Sequence, residues 1–211
     1  MADRLILFGA GGHAKVVAEA YLARVPDGAL VVLDDDAERV GTRLLGHEIV
    51  GGREWLSGNW PGIAVHPALG DNRRRWELIE TLKAIGRPLR TVIHPATIVS
   101  ASARIADGAF LAPGAIVNAE AEIGEGAILN TGASVDHDCR IGQCAHIAPG
   151  ARLCGTVSVG ARALVGSATA IIPGIRIGEG AIIGAGSVVI GDIPAAETWA
   201  GCPARPVLTT R

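Results

Sequence analysis

Aliphatic residues recur through the second half of the chain at an interval of six. From Val99, the positions Ile105, Leu111, Val117, Ile123, Leu129, Val135, Ile141, Ile147, Leu153, Val159, Val165, Ile171, Ile177, Ile183 and Val189 are all Ile, Leu or Val. Four residues after each comes a small residue in most cases: ten of the sixteen are Ala, and the rest are Cys139, Val157, Thr169, Ile175, Ser187 and Ile193. Glycine gathers at the two positions between, as at Gly124 and Gly126 or Gly178 and Gly180. An amphipathic helix needs a period near 3.6, and strand alternation alone does not set glycines at fixed offsets. The chain must therefore turn every six residues.

A triangular solenoid satisfies this pattern. Three hexads make one coil, the branched and the small residue point inward, and glycine relieves the corners. Coils then stack one strand spacing apart, about 4.8 Å, with residues 18 apart in sequence above one another. Sixteen hexads make a little over five coils.

The first half has another rhythm. RLILFG (residues 4–9) predicts a buried strand, and His13 to Ala23 an apolar-periodic helix. Leu30 to Leu33 predict a second strand ending in Asp34, Asp35 and Asp36; Ile63 to Leu69 a third; a helix reaches to about Ile85; and Leu89 to Ile93 predict a fourth strand of a small parallel sheet. The spacing Gly9-x-Gly11-x-x-Ala14 fits the turn in which missing side chains let a phosphate approach a helix N-terminus, with an acid about 20 residues on placed for a ribose hydroxyl. A tight strand-to-helix turn without ligand has the same signature. The expected division is residues 1–92, a Rossmann-like α/β half domain, and residues 93–211, the solenoid with its tail. One mononucleotide half without a second houses a dinucleotide redox cofactor poorly.

Composition narrows the partners. The 211 residues include 29 Gly, 49 % hydrophobic and only 3 % aromatic residues, with a net charge of −2. Such a chain is too apolar and too near neutrality for disorder. Residues 1–92 hold 12 Lys/Arg against 12 Asp/Glu, and residues 93–211 hold 7 against 9, so neither half has the basic surface of a nucleic-acid binder. No apolar run is long enough to span a membrane, and the start lacks a signal-peptide pattern, so a cytoplasmic location is expected. Cys139, Cys144, Cys154 and Cys202 lack CxxC spacing, which speaks against a zinc site or redox pair.

Stacking by 18 turns sequence into surface. One column reads Ala101, Ala119, His137, Gly155, Pro173, Gly191, so a single imidazole projects from a corner between small neighbours, with Asp136 and Asp138 at its sides to orient it or raise its basicity. A solvent-facing histidine without function fits the same column. A second column, Phe110, Ile128, His146, Leu164, Ile182, faces outward yet is nearly all apolar, which predicts an association surface and a homo-oligomer. The column Arg104, Glu122, Arg140, Ser158, Arg176 reads as a solvated charge ladder.

FGAGGHAKVV near the start, LDD at the end of the second strand, ILNTGASVDHDCRIGQCAHIAPGA in the middle coils and the late GCPARP together resemble the bacterial hexapeptide-repeat sugar acetyltransferases. This family includes sialic acid O-acetyltransferase and the nucleotide-linked 4-amino-sugar N-acetyltransferases of glycan biosynthesis. The resemblance implies a left-handed parallel β-helix that holds acetyl-CoA, an N-terminal domain that holds the nucleotide sugar, and a homotrimer with active sites between subunits. It implies His137 as general base with Asp138 beside it, where relatives often have Glu. His146, Ser167 and Ala185 match cofactor contacts, and Asn130 a polar residue near the acceptor. Gly11, Gly12, His13, Asp34, Asp35 and Gly70 match the sugar-nucleotide site, although relatives often have Ser where Gly11 stands. The expected reaction is acetyl transfer from acetyl-CoA to the amine of a nucleotide-linked amino sugar, without metal. O-acetylation of a sialic-acid-type sugar and non-catalytic nucleotide-sugar binding are the alternatives. A zinc-dependent carbonic anhydrase on the same scaffold needs three histidines, and the repeat contains His137 and His146 alone.

Overall fold

The computed structural model describes residues 3–58 and 62–207. The chain forms two compact units that meet in sequence between Pro95 and Ala96, slightly later than the expected 92/93 division.

The first unit runs β1 (Arg4–Phe8), α1 (Gly12–Arg24), β2 (Ala29–Leu33), a short hairpin β3 (Arg43–Leu44) and β4 (His47–Glu48), β5 (Val65–Pro67) and α2 (Asn72–Ala84). β1 lies central in a three-stranded sheet of order β2-β1-β5, parallel throughout. Leu5 to Phe8 are all buried, as expected of a parallel strand covered on both faces. Ile6, Phe8, Leu33, Leu56, Val65, Leu78 and Leu82 make its core. α1 buries the small residues Ala14, Val17, Ala18 and Ala20, so it can lie close to the sheet.

The expected fourth strand, Leu89 to Ile93, does not join this sheet: Val92–Ile93 is a strand, but outside it. Leu89 makes one isolated parallel bridge to Val65, with Val65 N–H donating to Pro88 O and Arg90 N–H to Val65 O. The next rung would need an N–H from residue 67, which is proline and has none. The Arg90 carbonyl is taken instead by the imidazole of His66, whose Nδ1 lies 2.8 Å away. The β3–β4 hairpin has no counterpart among the sequence expectations; it is only two residues on each side.

The second unit is a parallel β-solenoid. Each hexad contributes a two-residue strand whose second member is the aliphatic residue of the repeat, from Val99 to Val189. Strands 18 residues apart pair in register: Ile116 with Ser134, Glu122 with Arg140, Ile128 with His146. Three sheets result, one per wall of the prism. The small residues point inward as well: Ala109, Ala115, Ala121, Ala127, Ala133 and Cys139 are inaccessible to solvent. At the C-terminal end Thr198–Ala200 adds in parallel to Ile182–Ile183, and Arg205–Pro206 pairs antiparallel with it.

Glycine does two jobs here, one more than expected. At corners such as Gly114, Gly132 and Gly150 the chain adopts positive φ. Gly124, Gly142 and Gly160 instead stand where a Cβ would come within 2.7, 2.5 and 2.5 Å of the next coil's backbone. Their absent side chains allow the coils to stack at strand spacing.

One surface expectation needs correction. The Phe110–Ile182 column is not a continuous exposed apolar stripe: Phe110 and Ile128 are 0 % and 1 % exposed within the chain itself, while Ile182 is 44 % exposed. Only the C-terminal end of that column reaches solvent as an apolar surface. Among the described residues no helix is long and apolar enough to cross a membrane.

Candidate active site

In the first unit, a cavity of about 380 Å³ opens where β1 and β5 run out into helix N-termini. Gly9 has a φ of +115°, and a Cβ there would meet the Ala68 carbonyl at 2.7 Å, so only glycine turns the chain here. Gly11 is the N-cap of α1 without a side-chain cap, and nothing lies within 4 Å of where a Cβ would stand at Gly11 or Gly12. The first N–H groups of α1 thus adjoin open space, an arrangement that favours anions. Gly70 and Asp71 bring the start of α2 to the same cavity, with Asp71 accepting from Arg74 N–H at 2.8 Å.

Of the six residues expected at a nucleotide-sugar site, Gly11, Gly12, His13, Asp34 and Gly70 line this cavity. Asp34 also braces the backbone. Its Oδ2 accepts from Ala10 N–H at 2.6 Å and its Oδ1 from Asp36 N–H at 2.9 Å, holding the glycine turn to the end of β2. Asp35 does not line the cavity. Its carboxylate accepts from Arg53 Nε at 3.0 Å and Nη2 at 2.5 Å; burial opposes its ionisation, yet the Arg53 hydrogen bonds outweigh this and lower its pKa. Asp35 stands at a bend just past the end of β2, where its carboxylate turns to Arg53 rather than to the cavity.

Asp36, Arg39, Asp71 and Arg74 also line it and were not expected there. Arg39 reaches across the turn, donating to the Ala10 carbonyl at 2.8 Å and to Asp36 Oδ2 at 3.1 Å. Asp71 followed by Asn72, Arg73 and Arg74 reads in sequence as a helix start; its proximity to Gly11 needs the parallel sheet. Beneath the Gly70 loop lies Arg75, 1 % exposed, which donates to the Leu69 carbonyl at 2.7 Å and to Asn72 Oδ1 at 2.8 Å.

In the solenoid, His137 sits on the corner between the strands Ser134–Val135 and Arg140–Ile141. Its two flanking acids bind different groups. Asp138 Oδ2 lies 2.8 Å from the ring Nδ1, while Asp136 Oδ1 accepts from His137 N–H at 2.8 Å and from Asn118 Nδ2 at 3.0 Å. Asp138 adopts φ +58°, a left-handed conformation that Asp tolerates better than most residues. With Nδ1–H donated to Asp138, Nε2 is left as the basic nitrogen. The hydrogen bond to Asp138 raises the imidazole pKa above its ordinary value.

The remaining expected residues gather round the preceding corner. Asn130 follows the strand Ile128–Leu129, and its Nδ2 lies 3.1 Å from His146 Nε2 on the next coil. The amide has only donors on that nitrogen, so His146 Nε2 accepts and Nδ1 carries the proton. Asn130 Oδ1 in turn accepts from Thr131 N–H at 2.8 Å. Ser167 and Ala185 lie at this same corner one and two coils further on, joined by Gly186 N–H donating to Ser167 O at 2.8 Å. Within one chain, therefore, the Asn130–His146–Ser167–Ala185 group and the His137–Asp138 pair occupy successive corners with a wall of the prism between them.

Cys139 and Cys144 are buried, Cys154 and Cys202 exposed, and all four are free thiols. Burial raises the Cys139 pKa, the wrong direction for a nucleophile. The charge ladder forms as expected where Arg104 donates to Glu122 at 2.6 Å. Among the described residues no three His, Cys, Asp or Glu side chains cluster as a metal site.

An anion-favouring turn in a Rossmann-like half, followed in the chain by a hexapeptide solenoid with a histidine–carboxylate pair, defines an acyltransferase of the hexapeptide-repeat class. Residues 4–82 match the PglD N-terminal domain family. The acetyltransferase domain of PglB from Neisseria gonorrhoeae FA1090 is 37 % identical, with a TM-score of 0.93 over 97 % of this chain and 100 % of that one, and has also been solved with acetyl coenzyme A. A variant of GDP-perosamine N-acetyl transferase from Caulobacter crescentus, in complex with CoA and GDP-perosamine, is 38 % identical, with a TM-score of 0.90 over 97 % of each chain. UDP-N-acetylbacillosamine N-acetyltransferase of Bacillus subtilis is 40 % identical over 115 residues, 50 % of this chain and 49 % of that protein, so the match spans about half of that curated relative. The chain belongs to the bacterial sugar acetyltransferase family to which these proteins belong.

Proposed function

We propose that this protein transfers the acetyl group of acetyl-CoA to the amino group of a nucleotide-linked amino sugar of the 4-amino-4,6-dideoxyhexose type, with His137 as general base. The observation that carries this reading is the 2.8 Å contact between His137 Nδ1 and Asp138, which leaves Nε2 to take a proton. The relatives named above that bind CoA and GDP-perosamine, or act on UDP-N-acetylbacillosamine, support the substrate class.

The amine nitrogen attacks the thioester carbonyl, a C–N bond forms, and the C–S bond breaks. The proton lost by nitrogen passes to His137 Nε2 and then to the departing CoA thiolate. General-base assistance contributes about 10²- to 10⁴-fold in rate, and holding both substrates in one cleft contributes through orientation. The diphosphate of the sugar nucleotide would lie at the Gly11–Gly12 turn, between the N-termini of α1 and α2 and near Arg74. Cys139, whose thiol is buried and raised in pKa, is unsuited to an acetyl-enzyme, and the proposed transfer is direct.

Because the base and the residues matched to cofactor contacts lie at successive corners of one prism, a complete site draws them from neighbouring copies. This supports a homotrimer; its proposed setting is the cytoplasm, acting on precursors of surface glycans. Release of free thiol from acetyl-CoA, measured against nucleotide-linked 4-amino sugars and their 4-hydroxy counterparts, tests the reaction. Amine acceptors should turn over, and His137→Ala should lose about 10²- to 10⁴-fold while remaining folded. Preference for the hydroxyl acceptor would make the enzyme an O-acetyltransferase, and wild-type turnover by a folded His137→Ala variant would remove the base. Light scattering at micromolar concentration should give three chains per particle.

A further inference from the structure

Directly beyond His137 on the next coil stands Gly155, and the space its missing side chain leaves is filled by the imidazole. A Cβ built on Gly155 would lie 2.5 Å from both Cε1 and Nε2 of His137, and 3.1 Å from Cδ2. The ring edge that carries the proposed basic nitrogen therefore rests over the glycine Cα.

Two other reasons for a glycine here fail. Gly155 does not adopt positive φ, so its backbone conformation is open to any residue. Nor does the coil stack require it: no backbone atom is among the three nearest neighbours of its missing Cβ, unlike Gly142 and Gly160, and alanine occupies the same corner at residues 101 and 119. The atoms that a side chain here would meet are those of the imidazole.

The glycine backbone is also pinned. Gly155 O accepts from Gly174 N–H at 3.1 Å and from Thr156 Oγ1 at 2.6 Å, and Thr156 N–H donates to His137 O at 2.9 Å. If a methyl group appears at residue 155, the backbone cannot withdraw without breaking these bonds. The His137 side chain, 57 % exposed, can.

We propose that Gly155 is a positioning residue of the acetyl transfer, whose absent side chain seats the Cε1–Nε2 edge of His137 at the site of reaction. The inference rests on His137 acting as base. Ordinary contact begins near 3.4 Å, so a methyl at residue 155 moves the ring edge by about 1 Å, and misplacement on that scale can cost about 10²-fold in rate.

The experiment compares Gly155→Ala, Gly191→Ala, His137→Ala and the double variant His137→Ala/Gly155→Ala in the full chain. Gly191 occupies the same corner two coils on, with nothing within 4 Å of a Cβ there, and its alanine variant should keep wild-type turnover. Gly155→Ala should lose about 10- to 100-fold in kcat with KM for both substrates nearly unchanged. It should also shift the His137 Cε1–H resonance, identified by its loss in His137→Ala. Adding Gly155→Ala to His137→Ala should lower the rate no further.

A Gly155→Ala variant with wild-type kcat and an unshifted resonance overturns the positioning role, as does an equal further loss in the His137→Ala background. If Gly155→Ala alone fails to fold while the double variant folds, the methyl–imidazole conflict stands; if both fail, the backbone needs the glycine and the proposal is overturned. Wild-type turnover by His137→Ala overturns the base reading itself, a result separate from whether the resonance shifts in Gly155→Ala.

Discussion

His137 Nδ1 lies 2.8 Å from Asp138 Oδ2, so the ring and the carboxylate of adjacent residues form a pair at one corner of the solenoid. The Asp138 hydrogen bond stabilises the protonated imidazole and raises its pKa. A base works only when neutral, so kcat/KM should rise with pH through an inflection above the ordinary histidine value of about 6.5. Asp138→Asn removes the carboxylate charge and should move that rising limb to lower pH. It should also lower the plateau, by less than the general-base contribution of about 10²- to 10⁴-fold, since the ring is held less well. The pH–rate profiles of the two proteins measure both effects; coincident limbs would mean that Asp138 does not set the basicity of His137.

Arg74 lines the glycine-turn cavity, and only its backbone N–H is used by Asp71 in capping α2. A hydrogen bond to a charged group contributes about 1.5–3 kcal/mol. Arg74→Ala should therefore raise KM for the nucleotide sugar by about 10- to 100-fold and leave KM for acetyl-CoA as it was. Steady-state kinetics with each substrate varied in turn makes the comparison; equal effects on both KM values would place Arg74 outside the nucleotide site.

His66 is 1 % exposed, and burial pushes its pKa down to about 4. It stays neutral in the folded chain and donates Nδ1–H to the Arg90 carbonyl. Between about pH 4 and 6.5 the unfolded chain therefore binds more protons at this residue than the folded one, and stability rises with pH across that window. The stability present above pH 6.5 is lost as pH falls toward 4, by up to about 3 kcal/mol from this group. Urea denaturation of wild type and His66→Gln at pH 7, 5.5 and 4.5 should show the gap between them narrowing with acid. A constant gap would mean that His66 does not carry the dependence.

The nearest-neighbour architecture of the solenoid made it legible. A strand paired 18 residues away repeats the same inward and outward positions every six residues, so Val99 to Val189 declare both wall and register. The glycine turn after β1 was equally readable, because the positive φ at Gly9 and its close approach to the Ala68 carbonyl demand glycine. The absence of a fourth strand from this sheet was readable in principle from Pro67, whose absent N–H stops the ladder at Leu89.

Other features depend on side-chain direction or on residues distant in sequence. Asp34 to Asp36 and Asp136 to Asp138 are equivalent acids on paper; backbone geometry turns Asp35 to Arg53 and Asp138, rather than Asp136, to the His137 ring. Arg39 and Arg74 share a cavity with Gly11 only because β2 and β5 flank β1. The apolar column from Phe110 to Ile182 carried a pattern without a statement of what covers it.

The sequence by itself determined the coil, its period, its register and the turn that opens the first unit, because those follow from local sterics and from hydrophobic burial repeated at a fixed interval. Tertiary structure alone decided which carboxylate holds the imidazole, which arginines reach the cavity, and that the imidazole lies over Gly155, because these depend on the direction and packing of individual side chains, which periodicity does not encode.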